Sequence, residues 1–279
     1  MPFIFLSNLL ISSFFGSAKL GIWLIGYFSG YPVGAQCAFQ AYKSHQISKE
    51  EAGNMMVCCN NPGPSFIFGI TSSLFLQKWA APMLWAIHII SSLILYSILP
   101  TVRKKTTVRG MNERKQHTSA LHSMLRTMGI ICSCVILFKM AVHMMHRWFL
   151  WKVPKEWSAF VVGLLEITNG CLDLTSLSSV GLRFVLCSFY LGMGGVCTML
   201  QTYAVTGGLY FGKYVVCKFM QSGISVLIAY AVQWFFLPEG VKLRLPCTIL
   251  ATVLTVVLLI AFSIRKNEKT SRNFQPVIV

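Results

Sequence analysis

Few side chains in this sequence can do chemistry inside an apolar setting. Glu50, Glu51, Glu113, Glu239 and Glu268 fall in polar loops or tails and Glu156 at an interface, which leaves Glu166 and Asp173 within apolar segments. A carboxylate there is costly and marks an ion or substrate path by default. Both flank the tripeptide Thr168-Asn169-Gly170. Glu166 could carry a proton in a coupling step, or it could cap backbone amides and never move one. A second polar cluster, Asn60, Asn61 and Ser65, lies in Cys59-Asn60-Asn61-Pro62-Gly63-Pro64-Ser65-Phe66. Gln36, Gln201, Gln221 and Lys218 are further polar side chains in apolar runs. Amides, hydroxyls and half-helix N-termini on one face favour an anionic or carboxylate-bearing solute. They suit a neutral polar ring such as a nucleoside equally.

Other chemistries find less support. His143 and His146 are three apart and could share a metal, but no third ligand is evident, so no metal site is assigned. His88 reads as a packed polar residue. The ten cysteines lie in apolar runs without a CxxC pair, and read as small, reduced side chains. With no HExxH, no GxSxG and no acids at hydrolytic spacing, neither catalytic residues nor a cofactor is expected.

The elements that position these residues follow from composition. Of 279 residues, 55% are hydrophobic and 11% charged, and the mean hydropathy is +0.63. A chain of that make-up is a polytopic membrane protein, with the lipid bilayer as its first partner. The net charge of +16 belongs to cytoplasmic loops rather than to a nucleic-acid groove. The loop Thr101–Ala120 holds Arg103, Lys104, Lys105, Arg109, Arg114 and Lys115 against Glu113 alone, which places it in the cytoplasm.

Met1–Phe15 is apolar but short for a span, and lacks the basic start of a signal peptide. Leu20–Tyr42 carries Ser29-Gly30-Tyr31-Pro32 at its centre. Gly and Pro there favour a reversal, leaving arms of about 15 Å, half a bilayer each. That predicts a re-entrant hairpin; the ladder Gly26, Gly30, Gly34 could also mark a tight helix contact. Ser48 and Glu51 have capping-box spacing and should open the next helix. The run Ala52–Leu76 is then broken at its middle. Pro62 and Pro64 remove two N–H donors, and lipid cannot solvate the orphaned carbonyls. A helix unwound at mid-membrane is the form many secondary transporters give a solute site; a plain proline kink is the alternative. Trp79–Leu99 and Leu121–Met145 are unbroken spans, and Arg147–Trp157 is an interfacial link.

The theme then recurs. Ser158–Leu177 reads as a second hairpin turning at Thr168-Asn169-Gly170, Gly181–Val205 as a run interrupted at Gly192-Met193-Gly194-Gly195, and Phe211–Phe236 as a plain span. Corresponding features lie roughly 130 to 140 residues apart, the internal symmetry of many transporters. An odd number of crossings between the hairpins inverts the second unit. The same count returns the basic tail, with Arg265, Lys266, Lys269 and Arg272, to the cytoplasm. Arg147, Lys152 and Lys155 fall on the opposite side, against the trend.

Three motifs resemble the sporulation integral membrane protein YlbJ family: Ser29-Gly30-Tyr31-Pro32-Val33-Gly34-Ala35, Ile47-Ser48-Lys49-Glu50-Glu51, and Asn60-Asn61-Pro62-Gly63-Pro64-Ser65-Phe66 with Gly69. Gly163-Leu164-Leu165-Glu166-Ile167-Thr168-Asn169-Gly170 and Gly194-Gly195 with Gln201 fit the same family, so the resemblance runs from about Gly21 to Phe236. That family carries the nucleoside-recognition, or Gate, domain. The resemblance implies a fold similar to concentrative nucleoside transporters, a role in endospore formation, and movement of dipicolinic acid from mother cell toward forespore. It further implies a central site from Ser29, Gly30, Tyr31, Pro32, Asn60, Asn61, Gly63, Ser65, Glu166, Thr168, Asn169, Gly194, Gly195 and Gln201. Family members carry more N-terminal helices than Met1–Phe15 supplies, so a truncated or divergent member is expected.

The sequence thus predicts an all-α polytopic membrane protein with an inverted repeat of re-entrant hairpin, broken helix and plain helix. The expected divisions are a short apolar segment (1–16), a first Gate-type repeat (17–100), a basic cytoplasmic loop (101–120) and a linking helix (121–147). A second inverted repeat (157–237), a final span (244–264) and a basic tail (265–279) follow. The expected function is transport of a small polar or anionic metabolite, dipicolinic acid foremost, across the cell membrane (the outer forespore membrane if the family role holds). A nucleoside transporter, or a membrane assembly or signalling protein that transports nothing, is the alternative. A small solute is the expected partner, nucleic acid is not, and a homo-oligomer is a further candidate.

Overall fold

The computed structural model describes residues 18–99, 117–238, 242–243 and 253–260. The 1–16 segment, most of the basic loop and the 265–279 tail lie outside the described residues, and the final span is described only as helix over 253–260. The described residues contain helices and no strands. In chain order they are α1 (Ala18–Ser29), α2 (Val33–Lys43), α3 (Lys49–Cys59), α4 (Pro64–Leu74), α5 (Ala80–Ile98), α6 (His117–Trp148), α7 (Lys155–Leu165), α8 (Ile167–Asp173), α9 (Val180–Met193), α10 (Gly195–Thr206) and α11 (Phe211–Phe236). Four segments are long and apolar enough to cross a membrane: Ala80–Ile98, Leu125–Trp148, Val180–Thr206 and Phe211–Phe236. This is the architecture of an all-α membrane protein.

Local chemistry explains most boundaries. At the start of α3 the predicted capping box forms: Glu51 N donates to Ser48 Oγ at 3.2 Å and Ser48 N donates to the Glu51 carboxylate at 2.9 Å. The broken helix is also present. Its first arm ends at Cys59, residues 60–63 are non-helical, and α4 restarts with Pro64 in its first turn, where a missing N–H costs nothing. Ser179 caps α9 by accepting from Leu182 N at 3.2 Å. The α9–α10 interruption is a single residue, Gly194, at φ +84. That left-handed geometry is what glycine supplies at little cost.

One boundary corrects the sequence reading. Thr168, Asn169 and Gly170 do not form a turn; they are the first turns of α8, and the interruption is the single residue Glu166. The carboxylate of Glu166 supplies the acceptors that the new helix start needs, so the chain restarts as helix at once. The second arm is also shorter than the first hairpin's. Seven residues of α8 are followed by a 3₁₀ turn over Leu174–Ser176.

Packing follows an exchange pattern. α1 packs on α2 and α3, and α7 packs on α8 and α9. α2 lies against α10, while α8 lies against α4. α3 meets α11, α9 meets α5, and α5 and α11 pack on each other at the centre. There Ser225 Oγ lies 2.9 Å from Ser91 Oγ and Ser188 donates to the Ser225 carbonyl at 3.1 Å. One apolar cluster joins Ile67, Leu84, Ile87, Phe184 and Tyr190; another joins Val57, Leu95, Tyr214 and Met220. Outside this core stands α6, whose apolar stretch Leu125–Trp148 is almost entirely unburied. Its Leu125, Met128, Ile136, Leu137 and Met140 face outward, as a lipid-contacting helix requires.

Candidate functional site

The four residues between α3 and α4 set the geometry. A helix that stops at Cys59 leaves its last carbonyls without intrahelical donors, and each buried orphan must find another partner. Asn61 Nδ2 donates to the Cys58 carbonyl at 2.5 Å. The Cys59 carbonyl faces the glycine ladder of the first hairpin: a Cβ on Gly26 or Gly34 would collide with it. The tight-contact reading of the ladder therefore holds. The segment turns back, with Gly30 at φ +80, and the same glycines admit the broken helix. The Asn60 carbonyl accepts from the Lys218 ammonium at 2.6 Å.

Lys218, from the middle of α11, is fully buried. Its Nζ donates also to Asn61 Oδ1 at 2.8 Å and to Gln221 Oε1 at 2.9 Å, and Gln221 Nε2 returns a bond to Asn61 Oδ1 at 3.2 Å. The rings of Tyr31 and Tyr214 lie 6.0 and 5.8 Å from the ammonium, within cation–π range. All three acceptors are neutral. Sequence reading placed Lys218 and Gln221 among polar residues in apolar runs but did not assign them to the site; a lone lysine inside a predicted span was the available signal.

The Asn60 side chain is satisfied from three sides. Its Oδ1 accepts from Ala35 N at 3.4 Å, at the start of α2. Its Nδ2 donates to Thr202 Oγ1 on α10 and to Tyr214 OH on α11, both at 2.8 Å. One buried carboxamide therefore joins α2, α3, α10 and α11.

The interruption at Glu166, between α7 and α8, is built from within its own half. Glu166, 3% exposed, accepts from Thr168 N at 2.9 Å, Asn169 N at 2.7 Å and Asn169 Nδ2 at 2.8 Å. Of the two roles open to it, the cap is the one its contacts describe. Gly195 seats against this break, where an added Cβ would stand 3.3 Å from the Leu165 carbonyl and 3.4 Å from Ile167 N. Gly30 sits likewise on the first break, an added Cβ being 2.8 Å from Gly63 N. The first hairpin reaches the second half as well: Tyr31 OH donates to the Leu191 carbonyl at 3.0 Å.

Most of the predicted site residues thus converge. Gly30, Tyr31, Asn60, Asn61 and Gly63 gather at the first break, with Pro32 buried next in the chain, while Gly195, next to Gly194, seats against the Glu166 interruption that Thr168 and Asn169 close. Gln201 is buried and its Nε2 donates to Cys197 Sγ at 3.4 Å within α10. Two residues stand apart. Ser29 and Ser65 are exposed, because each occupies a helix end turned away from the break. Asp173 is partly exposed and lies 3.0 Å from His146 Nε2, which ties the end of α6 to α8. Among the described residues no three His, Cys, Asp or Glu come together as a metal group. His88, buried on α5, has no hydrogen-bond partner at either ring nitrogen among the described residues.

No family model matches this chain, and neither does any curated protein or solved structure.

Proposed function

We propose that the protein is a secondary transporter of a small anionic metabolite, with an aromatic dicarboxylate of the dipicolinate type as the first solute to test. In this reading α1–α5 and α7–α11 are two inverted copies of one unit: hairpin, broken helix, plain helix. The exchange of packing partners supports it, since swapping each helix of one unit for its counterpart returns almost the same set of neighbours. Gly30 on Gly63, and Gly195 on Leu165 and Ile167, then bring each hairpin tip onto the break of its own unit near mid-membrane. The observation that carries the anionic assignment is the buried Lys218 ammonium at the first break, held by neutral oxygens alone. No carboxylate stands among those contacts, so an anion entering the break would supply the counter-charge that a protonated Lys218 lacks, in a medium of low dielectric. The sporulation role and the outer forespore membrane belong to the same proposal, on the motif resemblance alone.

A second reading has its own support. Lys218, Asn60 and Asn61 are already satisfied by protein groups, as a membrane scaffold or signalling protein that moves nothing would require. Uptake of labelled dipicolinate into vesicles containing the purified protein separates the two. Saturable uptake, competed by other small carboxylates and not by nucleosides, is expected. Competition by nucleosides alone transfers the assignment to them. Folded, inserted protein that takes up no carboxylate and no nucleoside supports the scaffold.

A further inference from the structure

The Lys218 ammonium occupies an unusual seat. Three oxygens converge on it: the Asn60 carbonyl at 2.6 Å, Asn61 Oδ1 at 2.8 Å and Gln221 Oε1 at 2.9 Å. The first belongs to the unwound residue that ends α3, and the second to its neighbour. Carbonyls of an unwound segment, at the negative end of a half-helix, are the donors that broken-helix transporters offer to a coupling cation. A set of carbonyl and amide oxygens is the ligand class that suits hard cations. The site is complete on the side of the donors, and the cation in it is covalently part of the chain.

We propose that Lys218 is a built-in cation filling the seat at the first break, so that the protein needs no sodium, potassium or lithium ion to hold that break together or to bind solute. Several features follow from one cause. The ammonium neutralises the partial negative charge at the end of α3 without an acid, and the buried amides of Asn61 and Gln221 serve as its ligands, bridged to one another at 3.2 Å. Its stem is anchored in α11, in the second half of the chain, so the bond between the halves is made by a group that cannot diffuse away. A site with a tethered cation cannot draw on a gradient of that cation. Solute movement must then be driven by the solute's own gradient or by protons. That last statement rests on the transporter reading; the occupancy of the seat does not.

The test uses the purified full chain in lipid nanodiscs without solute, its thermal midpoint read in sodium, potassium, lithium or N-methylglucamine chloride at equal ionic strength. The unmodified protein should melt at the same temperature in all four. K218A should melt lower in N-methylglucamine and recover, saturably, in at least one of the small cations, because the emptied seat can be refilled. A saturable rise for the unmodified protein in one metal cation overturns the proposal. So does K218A that remains folded yet responds to none of them, and so does K218A that folds in no salt at all. Absence of solute uptake would remove the transporter reading and leave these melting curves untouched. Conversely, a cation effect on the unmodified protein would leave carboxylate uptake standing.

Discussion

The interruption at residues 60–63 and those at Gly194 and Glu166 solve the same problem with different shares of distant and local groups. At residues 60–63 the chain leaves helical geometry for four positions; Asn61 closes the Cys58 carbonyl locally, the Cys59 carbonyl lies against the first hairpin's glycines, and the Asn60 carbonyl is met by Lys218 from the far half. At Gly194 the interruption is one residue long, and Thr198 folds its hydroxyl back to the Gly194 and Gly195 carbonyls at 2.5 and 3.0 Å. The nearby Glu166 interruption is likewise self-sufficient, closed by amides two and three residues on. The first break is therefore chiefly a tertiary structure, whereas the interruptions at Gly194 and Glu166 rest mainly on local bonds, with Tyr31 OH on the Leu191 carbonyl as the long-range contribution. A local device sets the direction of a helix; one assembled from distant parts reports on how those parts sit.

Experiments can widen or erase that contrast. The largest effect is expected from K218M. It leaves the Asn60 carbonyl and Gln221 Oε1 without a donor, at about 1–3 kcal/mol for each, while Asn61 Oδ1 keeps the bond from Gln221, and should lower stability by roughly 3 kcal/mol or more in reversible denaturation. A loss below about 1 kcal/mol would mean the first break holds itself. Next is G34V, which drives a side chain into the Cys59 carbonyl at a cost of about 1–3 kcal/mol. G69A, on α4 with open space around it, should instead be neutral or stabilising by up to about 1 kcal/mol. Equal outcomes for the two would show that the ladder does not set the approach of hairpin and break.

A smaller effect is expected for E166Q. The amide keeps one acceptor oxygen and loses the other, so one end of the cap fails, at about 1 kcal/mol. If transport is measured, its pH profile should survive in E166Q with only the rate reduced. A flattened profile would make Glu166 a proton carrier and its interruption more than a local device.

The smallest effect lies at the entrance to α3. Burial alone would push the Glu51 carboxyl up, but hydrogen bonds from Lys19, at 2.6 Å, and from Ser48 hold it below the usual glutamate range. A carboxyl depressed by folding stabilises the fold above its unfolded pKa, and the contribution fades as pH falls through the folded value. A modest loss of stability is therefore expected only in mildly to strongly acidic solution. K19M should shrink it, detected as a flatter dependence of the melting midpoint on pH. Lys19 is half exposed, so salt will screen the effect further.

Legibility in the sequence tracked how local each cause was. Gly30 and Pro32, the capping box at Ser48 and Glu51, and the Pro62–Pro64 break are written within a few residues and were readable directly. Thr168-Asn169-Gly170 misled because turn-forming residues say nothing about a carboxylate two positions earlier that favours an immediate helix start. Ser65 was assigned to the site by proximity in sequence, whereas the helix restarted by Pro64 points it outward. Lys218 was visible but its purpose was not, for its acceptors at Asn60 and Asn61 lie 158 and 157 residues away. No periodicity or motif encodes a contact across that separation.

Asn60 carries a consequence for motion. Because one short side chain holds α2, α10 and α11 to the end of α3, none of those four rods can slide alone without unfastening the rest. Rearrangement at this junction is then a single concerted click rather than a string of small adjustments. Amide-proton exchange around it should report one shared opening.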